Sequence, residues 1–224
     1  MLVTFPLVHT THLAIAYRRL LSTCDSPRFA SEVDRHYSPE TLARLLCDGD
    51  MEQRRAAGIA LGILGDASLL EVIGRAMSDQ DRGVRMVAED SFRAIMVRSA
   101  APVHQQRLLR AMHLIDGGNF SAAMPILRTL IAQCPSYAEA HYQLGLCLHA
   151  TKDYQQAIEC YTQCLWRCRY HFTAWQSIGR CEIARKRIPA AIKALSRCIT
   201  INPHCDNARL QLRTLRRRLR RSDV

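Results

Sequence analysis

The sequence predicts an all-α protein built as a solenoid of stacked antiparallel helix pairs. Three observations lead there. Of its 224 residues 48% are hydrophobic but only 6% aromatic, with 10 Gly and 8 Pro. That is enough apolar material for a sizeable core, and too few aromatic and turn residues for a β-sandwich. The second half repeats every 34 residues, and a different period, 31 residues, runs upstream of it. Units of this length each leave an apolar face open and must stack on their neighbours to cover it.

Residues 1–37 fit neither period, and 11–23 are predicted to form a helix capping the stack. Arg18 and Arg19 follow the first apolar stretch instead of preceding it, and Pro6 interrupts that stretch, so the start lacks the form of an export signal. No run reaches the roughly 18 apolar residues of a membrane span. From 38 to 98 the 31-residue period aligns Leu42 with Ile73, Leu46 with Met77, Asp50 with Asp81, Arg54 with Arg85, Ala57 with Ala88 and Leu61 with Phe92. Each unit reads helix, short acidic turn, helix. Ser38-Pro39-Glu40 opens the first with a capping serine and a proline in the first turn.

Stacking 104–137, 138–171 and 172–205 gives Ala111, Gly145 and Gly179 in column 8 and Ala123, Ala157 and Ala191 in column 20. Columns 17 and 24 hold large residues: Phe120, Tyr154 and Ile188, then Leu127, Tyr161 and Leu195. Small columns let two helices approach, and large ones fill the space beside them. Pro135 and Pro203 in column 32 stop the second helices. Gly117-Gly118-Asn119 and Thr151-Lys152-Asp153 supply turns. Residues 206–219 form a last helix with Ala208, Leu212, Leu215 and Leu219 as its apolar stripe.

The stretch 138–165, with Leu144, Gly145, Ala157 and Tyr161, resembles the tetratricopeptide repeat, as does the third unit with Trp175, Gly179, Ala191 and Pro203. The first unit departs from it: Arg107 and Arg110 stand where an aromatic and a leucine are usual, which suits a junction repeat. "LLCDGDMEQRRAAGIALGILGD" (45–66) resembles a HEAT-like repeat of the short type. That resemblance implies pairing of turn aspartate and helix arginine across the repeat, which Asp50/Arg54 and Asp81/Arg85 fit. The two resemblances imply a right-handed α-solenoid. Its parts are an N-terminal segment (1–37), a HEAT-like repeat pair (38–98), three tetratricopeptide repeats (104–205), and a basic C-terminal capping helix and tail (206–224).

The tetratricopeptide resemblance also implies a concave groove lined by the first helix of each unit. The partner-binding candidates on it are Leu108, Met112, Tyr142, Gln143, Leu146, His149, Gln176, Ser177 and Arg180. Leu108, Met112, Tyr142 and Leu146 would hold a peptide's apolar side chains, and Gln143, Gln176 and Arg180 its backbone or a carboxylate. The alternative is that the chain's own N-terminal helices cover part of this surface. The carboxylate clamp of one subfamily is absent, because Leu108, Met112, Gln143, Thr173 and Ser177 occupy its positions.

Ten cysteines in a long, core-rich chain point to a reducing cytoplasm and free thiols rather than a disulfide frame. "CYTQCLWRC" sets Cys160, Cys164 and Cys168 on one helical face. Neighbouring units fill those columns with Ile126, Leu130 and Cys134, and with Ala194, Cys198 and Asn202, so packing explains them. A zinc site with His171 or Cys205 is the rival, but no C-x-x-C pair accompanies it. Of the three thiols Cys168, between two arginines, is expected to be the most reactive. There is no His-Glu-x-x-His, nucleophile elbow, P-loop or dinucleotide glycine pattern. The acids at 48/50 and 79/81 read as helix caps and arginine partners, and Gly62-x-x-Gly65 as a helix end.

The formal net charge is +11, and residues 206–224 supply +5 of it. Arg213, Arg216, Arg217, Arg220 and Arg221 are candidate polyanion contacts. The stretch has no aromatic residue to stack on bases. The sequence therefore predicts a non-enzymatic, cytoplasmic scaffold or adaptor that binds protein or peptide, with no cofactor or metal. The alternative is a nucleic-acid or other polyanion binder working through the arginine-rich helix.

Overall fold

A computed structural model describes residues 12–222, with side chains as far as Leu219. Among these residues every regular element is helical, and the fold is an all-α solenoid of paired helices. Among them, too, no helix is long and apolar enough to cross a membrane.

The expected first helix is α1 (His12–Thr23), which buries Leu13, Ala16 and Tyr17 against α2 (Ser26–Asp34) and α4 (Met51–Leu64). Sequence periodicity missed α2. It is a nine-residue helix whose apolar stripe is only Phe29 and Val33, and its N-cap is Asp25, which accepts from the Arg28 N–H at 3.0 Å. Ser38 caps α3 (Pro39–Asp48), and Asp50 forms a capping box with Gln53 at the head of α4. A short 3-10 turn (Ala67–Leu69) leads into α5 (Leu70–Ala76), and Asp81 caps α6 (Arg82–Arg98).

The acidic turns and the arginines are tied from one unit to the next. Arg54 forks onto Asp79 at 3.0 and 3.1 Å, and Arg55 onto Asp81 at 2.8 and 2.7 Å. The pairs written in register, Asp50 with Arg54 and Asp81 with Arg85, give way to these. Asp50 is taken up by its cap, and Arg85 donates to the Asp79 and Gln80 carbonyls.

The second half is α7 (Pro102–Asp116) with α8 (Phe120–Gln133), α9 (Ala138–Ala150) with α10 (Tyr154–Arg167), α11 (Phe172–Ala184) with α12 (Ile188–Ile201), then α13 (Asp206–Ser222). The column logic becomes physical contact here. A Cβ on Gly145 would meet the Tyr161 ring at 2.5 Å, and one on Gly179 would meet Leu195 at 2.7 Å. Column 8 lies under column 24 in both units. Column 15 turns the chain through the left-handed region each time: Gly118 at φ 74°, Lys152 at 65° and Lys186 at 59°.

The stack does not run straight from one half into the other. α6 lies along the turns that join successive pairs. The Tyr137 hydroxyl donates to the Val97 carbonyl, Phe92 meets the His171 ring edge-on at 6.1 Å, and Asn202 donates to Glu89 at 3.0 Å. Beside it α5 receives Tyr170, whose ring sits where a Gly74 side chain would be. Glu71 on α5 takes both Arg75 and Arg169, each at 2.5 Å. The chain's own N-terminal half thus covers one edge of the inner face of α9 and α11.

Candidate functional site

The inner faces of α7, α9 and α11 hold the predicted groove residues, and they differ sharply in exposure. Leu108 is fully buried, and Gln143 and Ser177 are buried as well. Leu108 belongs to the hydrophobic core, where α7 packs chiefly on α8 and also meets α6 and α9. Met112, Tyr142, Leu146, His149 and Gln176 are half-buried, and Arg180 is exposed. The strip of the groove that remains open runs along Leu146, His149, Gln176 and Arg180, away from α6.

Polar chemistry gathers at the covered edge. Glu139 opens α9, and its side chain is only 9% exposed. It accepts from the Gln143 amide at 2.7 Å and from His171 Nε2 at 3.3 Å. His171 caps α11: its Nδ1 accepts from the Ala174 N–H at 3.2 Å and from the Thr173 hydroxyl at 3.1 Å. A ring that accepts at Nδ1 must carry its hydrogen on Nε2, so it donates to Glu139. The Tyr142 ring lies 4.5 Å from His171, and burial raises its phenol above the ordinary value. Burial, and then the charge of Arg180, hold His149 below the usual histidine range.

Between these groups and α6 is a cleft of about 290 Å³ lined by Phe92, Met96 and Val97 on one side and Met112, Tyr142 and Phe172 on the other, with Glu139 and Arg93 as its charges. The sequence pattern does not reveal this site. Column positions describe one helix pair, and the cleft needs α6, some fifty residues earlier in the chain.

The cysteine cluster is a packing feature. Cys164 is fully buried, as are its column partners Leu130 and Cys198. Cys168, expected to be the reactive thiol, is buried and pushed up to about 11 by that burial; half-buried Cys160 is pushed up to about 11 as well, and burial raises Cys164 well above the ordinary thiol value. The flanking arginines do not activate it, because Arg167 reaches the Pro135 carbonyl and Gln163, and Arg169 reaches Glu71. His171, a suggested zinc partner, turns to Glu139. Cys205 is the exception: its neighbour Cys198 draws its thiol below the ordinary value, while Cys198 itself is raised.

On α13 Ala208, Leu212 and Leu215 are buried, and Arg213, Arg216 and Arg217 are exposed. Arg220 and Arg221 lie on its last turn, where side chains fall outside the described residues. From Arg185 onward twelve Lys and Arg stand against two Asp, so these forty residues hold +10 of the net +11.

The tetratricopeptide repeat family model matches residues 138–171. No curated protein matches the sequence. Among solved structures the chain is similar to YrrB, described as a TPR protein with an unusual peptide-binding site (16% identity, 88% of each chain, TM-score 0.45). It is also similar to the TPR2AB domain of yeast Sti1 in its pHSP90 complex (11% identity, 91% of this chain and 95% of that one, TM-score 0.47). A third is MamA from Desulfovibrio magneticus RS-1 (20% identity, 88% of this chain and 99% of that one, TM-score 0.41). α9 and α10, with the turn that follows them, are therefore a tetratricopeptide repeat.

Proposed function

We propose that the protein is a non-enzymatic scaffold or adaptor that binds a protein or peptide on the concave face of three tetratricopeptide repeats, 104–205, in a reducing cytoplasm. In this reading 38–98 is a HEAT-like pair, 1–37 caps it, and 206–224 caps the other end. The observation that carries the proposal is the half-exposed strip Leu146, His149 and Gln176 beside exposed Arg180. It is an apolar-to-polar surface on rigid helices, suited to the side chains and backbone of an extended segment. The test is capture from native lysate with wild-type protein and with the double variant Gln176→Ala, Arg180→Glu, whose side chains hold little of the core. Partners should drop out with the variant; an unchanged set of captured polypeptides would sink the groove.

A second reading is favoured by one observation, the concentration of charge at the C-terminal end. It makes α12 and α13 a polyanion surface. Affinity for a labelled single-stranded RNA would then fall steeply between 50 and 200 mM salt, since about one counterion is released per phosphate contact. Removing 213–224 should abolish that binding, and retention without the segment rules the reading out.

A further inference from the structure

The cleft between α6 and α9 combines features that belong together in a side-chain pocket. Its walls are apolar and partly aromatic: Phe92, Met96, Val97, Tyr142 and Phe172. In its floor stands Glu139, a carboxylate withdrawn from water whose partners among the described residues are Gln143 and His171. Neither brings a positive charge, since an imidazole accepting at Nδ1 and donating at Nε2 is neutral. A buried carboxylate is costly unless a cation and further hydrogen bonds meet it. Each oxygen here accepts one hydrogen bond and keeps capacity for a second.

The surroundings have the matching sign. Arg93 lines the cleft but is already engaged by Glu89 and Asp90 on its own helix. With Arg93 held on its own helix, Glu139 is the charge that the cleft offers a ligand. A volume of about 290 Å³ lies at the floor of the range of whole small-molecule sites, roughly 300–1,000 Å³. It suits one long side chain.

We propose that this cleft receives an arginine side chain of the bound polypeptide, the guanidinium forking onto the two oxygens of Glu139 and its stem and plane lying between Tyr142 and the α6 wall. Arginine fits better than lysine because its planar fork matches a carboxylate and stacks on aromatic rings, and because it gives up hydration more easily. The proposal rests on the reading that the concave face takes a polypeptide, and it names the residue that anchors there.

The experiment uses the full chain and three small probes: n-butylguanidinium, n-butylammonium and the neutral n-butylurea, each titrated by ligand-observed saturation-transfer NMR. Wild type should bind n-butylguanidinium saturably, n-butylammonium more weakly and n-butylurea least. Glu139→Gln should weaken n-butylguanidinium by about tenfold or more, the loss of one buried charge partner. Met112→Trp, which leaves Glu139 untouched but obstructs the cleft from α7, should also lose it, and it decides the matter if the Gln variant does not fold. No saturable binding by wild type, equal binding by Glu139→Gln and wild type, or n-butylurea binding as well as n-butylguanidinium would overturn the pocket. Tighter n-butylammonium would overturn arginine as its occupant. The lysate capture reads the open strip separately: partners lost with the Arg180 variant while the probes fail would leave the groove standing without this pocket.

Discussion

In α4 and α6 two helices come close because Gly58 and Gly62 lie under Val87 and Ser91, and arginine–aspartate forks from Arg54 and Arg55 then fix their turns. In α9 to α12 the same closeness comes from Gly145 and Gly179 beneath Tyr161 and Leu195, large side chains that are fully buried. The first half sets its register with polar bonds that have direction. The second sets it by shape. The charge follows a similar division: residues 1–184 carry +1, and the last forty carry +10. A polar fork tolerates small shifts in spacing, whereas interlocked apolar surfaces do not, so the two halves should fail differently under mutation.

The largest effect is expected where shape alone decides. Gly145→Ala puts a methyl 2.5 Å from the ring of Tyr161, which has no free space to enter. Overpacking of that kind costs about 2–3 kcal/mol. Both tryptophans, Trp166 and Trp175, lie in the second half, so urea unfolding followed by tryptophan fluorescence reads that half, and circular dichroism reads both. The fluorescence midpoint should fall clearly. Gly58→Ala in the first half should cost less, because its nearest neighbour is the tip of Val87. Equal losses would remove the distinction drawn above.

These contacts also mark how far the sequence could be read. The pairing of columns 8 and 24 was legible because it joins residues within one unit, and one unit repeats. Asp50, Asp81 and Ser38 were legible as caps because capping is local. The course of α6 over the joining turns was not. It depends on Val97, Phe92 and Glu89 meeting Tyr137, His171 and Asn202, contacts of long sequence separation with no period to announce them. The Glu139 cleft was hidden for the same reason, and the expectation for Cys168 fails because it weighs neighbours in sequence and not burial.

The thiols extend the contrast into reactivity. Cys205 is partly exposed and drawn below the ordinary thiol value by Cys198, while burial pushes Cys160 and Cys168 up to about 11. Iodoacetamide labelling mapped by mass spectrometry should modify Cys205 first among the cysteines of the second half. Near pH 7 its lead over Cys160 and Cys168 should be about tenfold or more, since lower intrinsic nucleophilicity offsets part of the larger thiolate fraction. Cys198→Ala removes the neighbour that lowers the Cys205 thiol and should slow its labelling. Equal, slow labelling of Cys205 and Cys168 would contradict the arrangement.

Acid should act on the first half. Arg55 holds the Asp81 carboxyl at about 2, below its ordinary 3.8. A depressed folded-state value means that its stabilisation is fully present above about pH 4 and is lost as pH falls toward 2. Allowing for solvent around the pair, the contribution is about 1–2 kcal/mol. Circular dichroism melts between pH 5 and 2 should show that loss, and Asp81→Asn should flatten the dependence while lowering stability at pH 7. A slope unchanged in the variant would assign the acid response to other carboxylates.

The smallest effect compares equivalent positions within the second half. Column 16 begins the second helix of each unit, and Asn119 and Asp153 there cap α8 and α10 by accepting from Ala122 and Gln156 N–H groups. The third unit has Arg187, which offers α12 no side-chain cap. An arginine at a helix N-terminus also faces the positive end of the helix dipole. Arg187→Asp supplies an acceptor and reverses that charge, so it should stabilise the protein by about 0.5–1 kcal/mol. A rise in the fluorescence-detected urea midpoint is the expected result. A fall would mean that Arg187 serves a contact outweighing the missing cap, and since Arg187 belongs to the basic C-terminal end, the same variant would then be the first to assay against RNA.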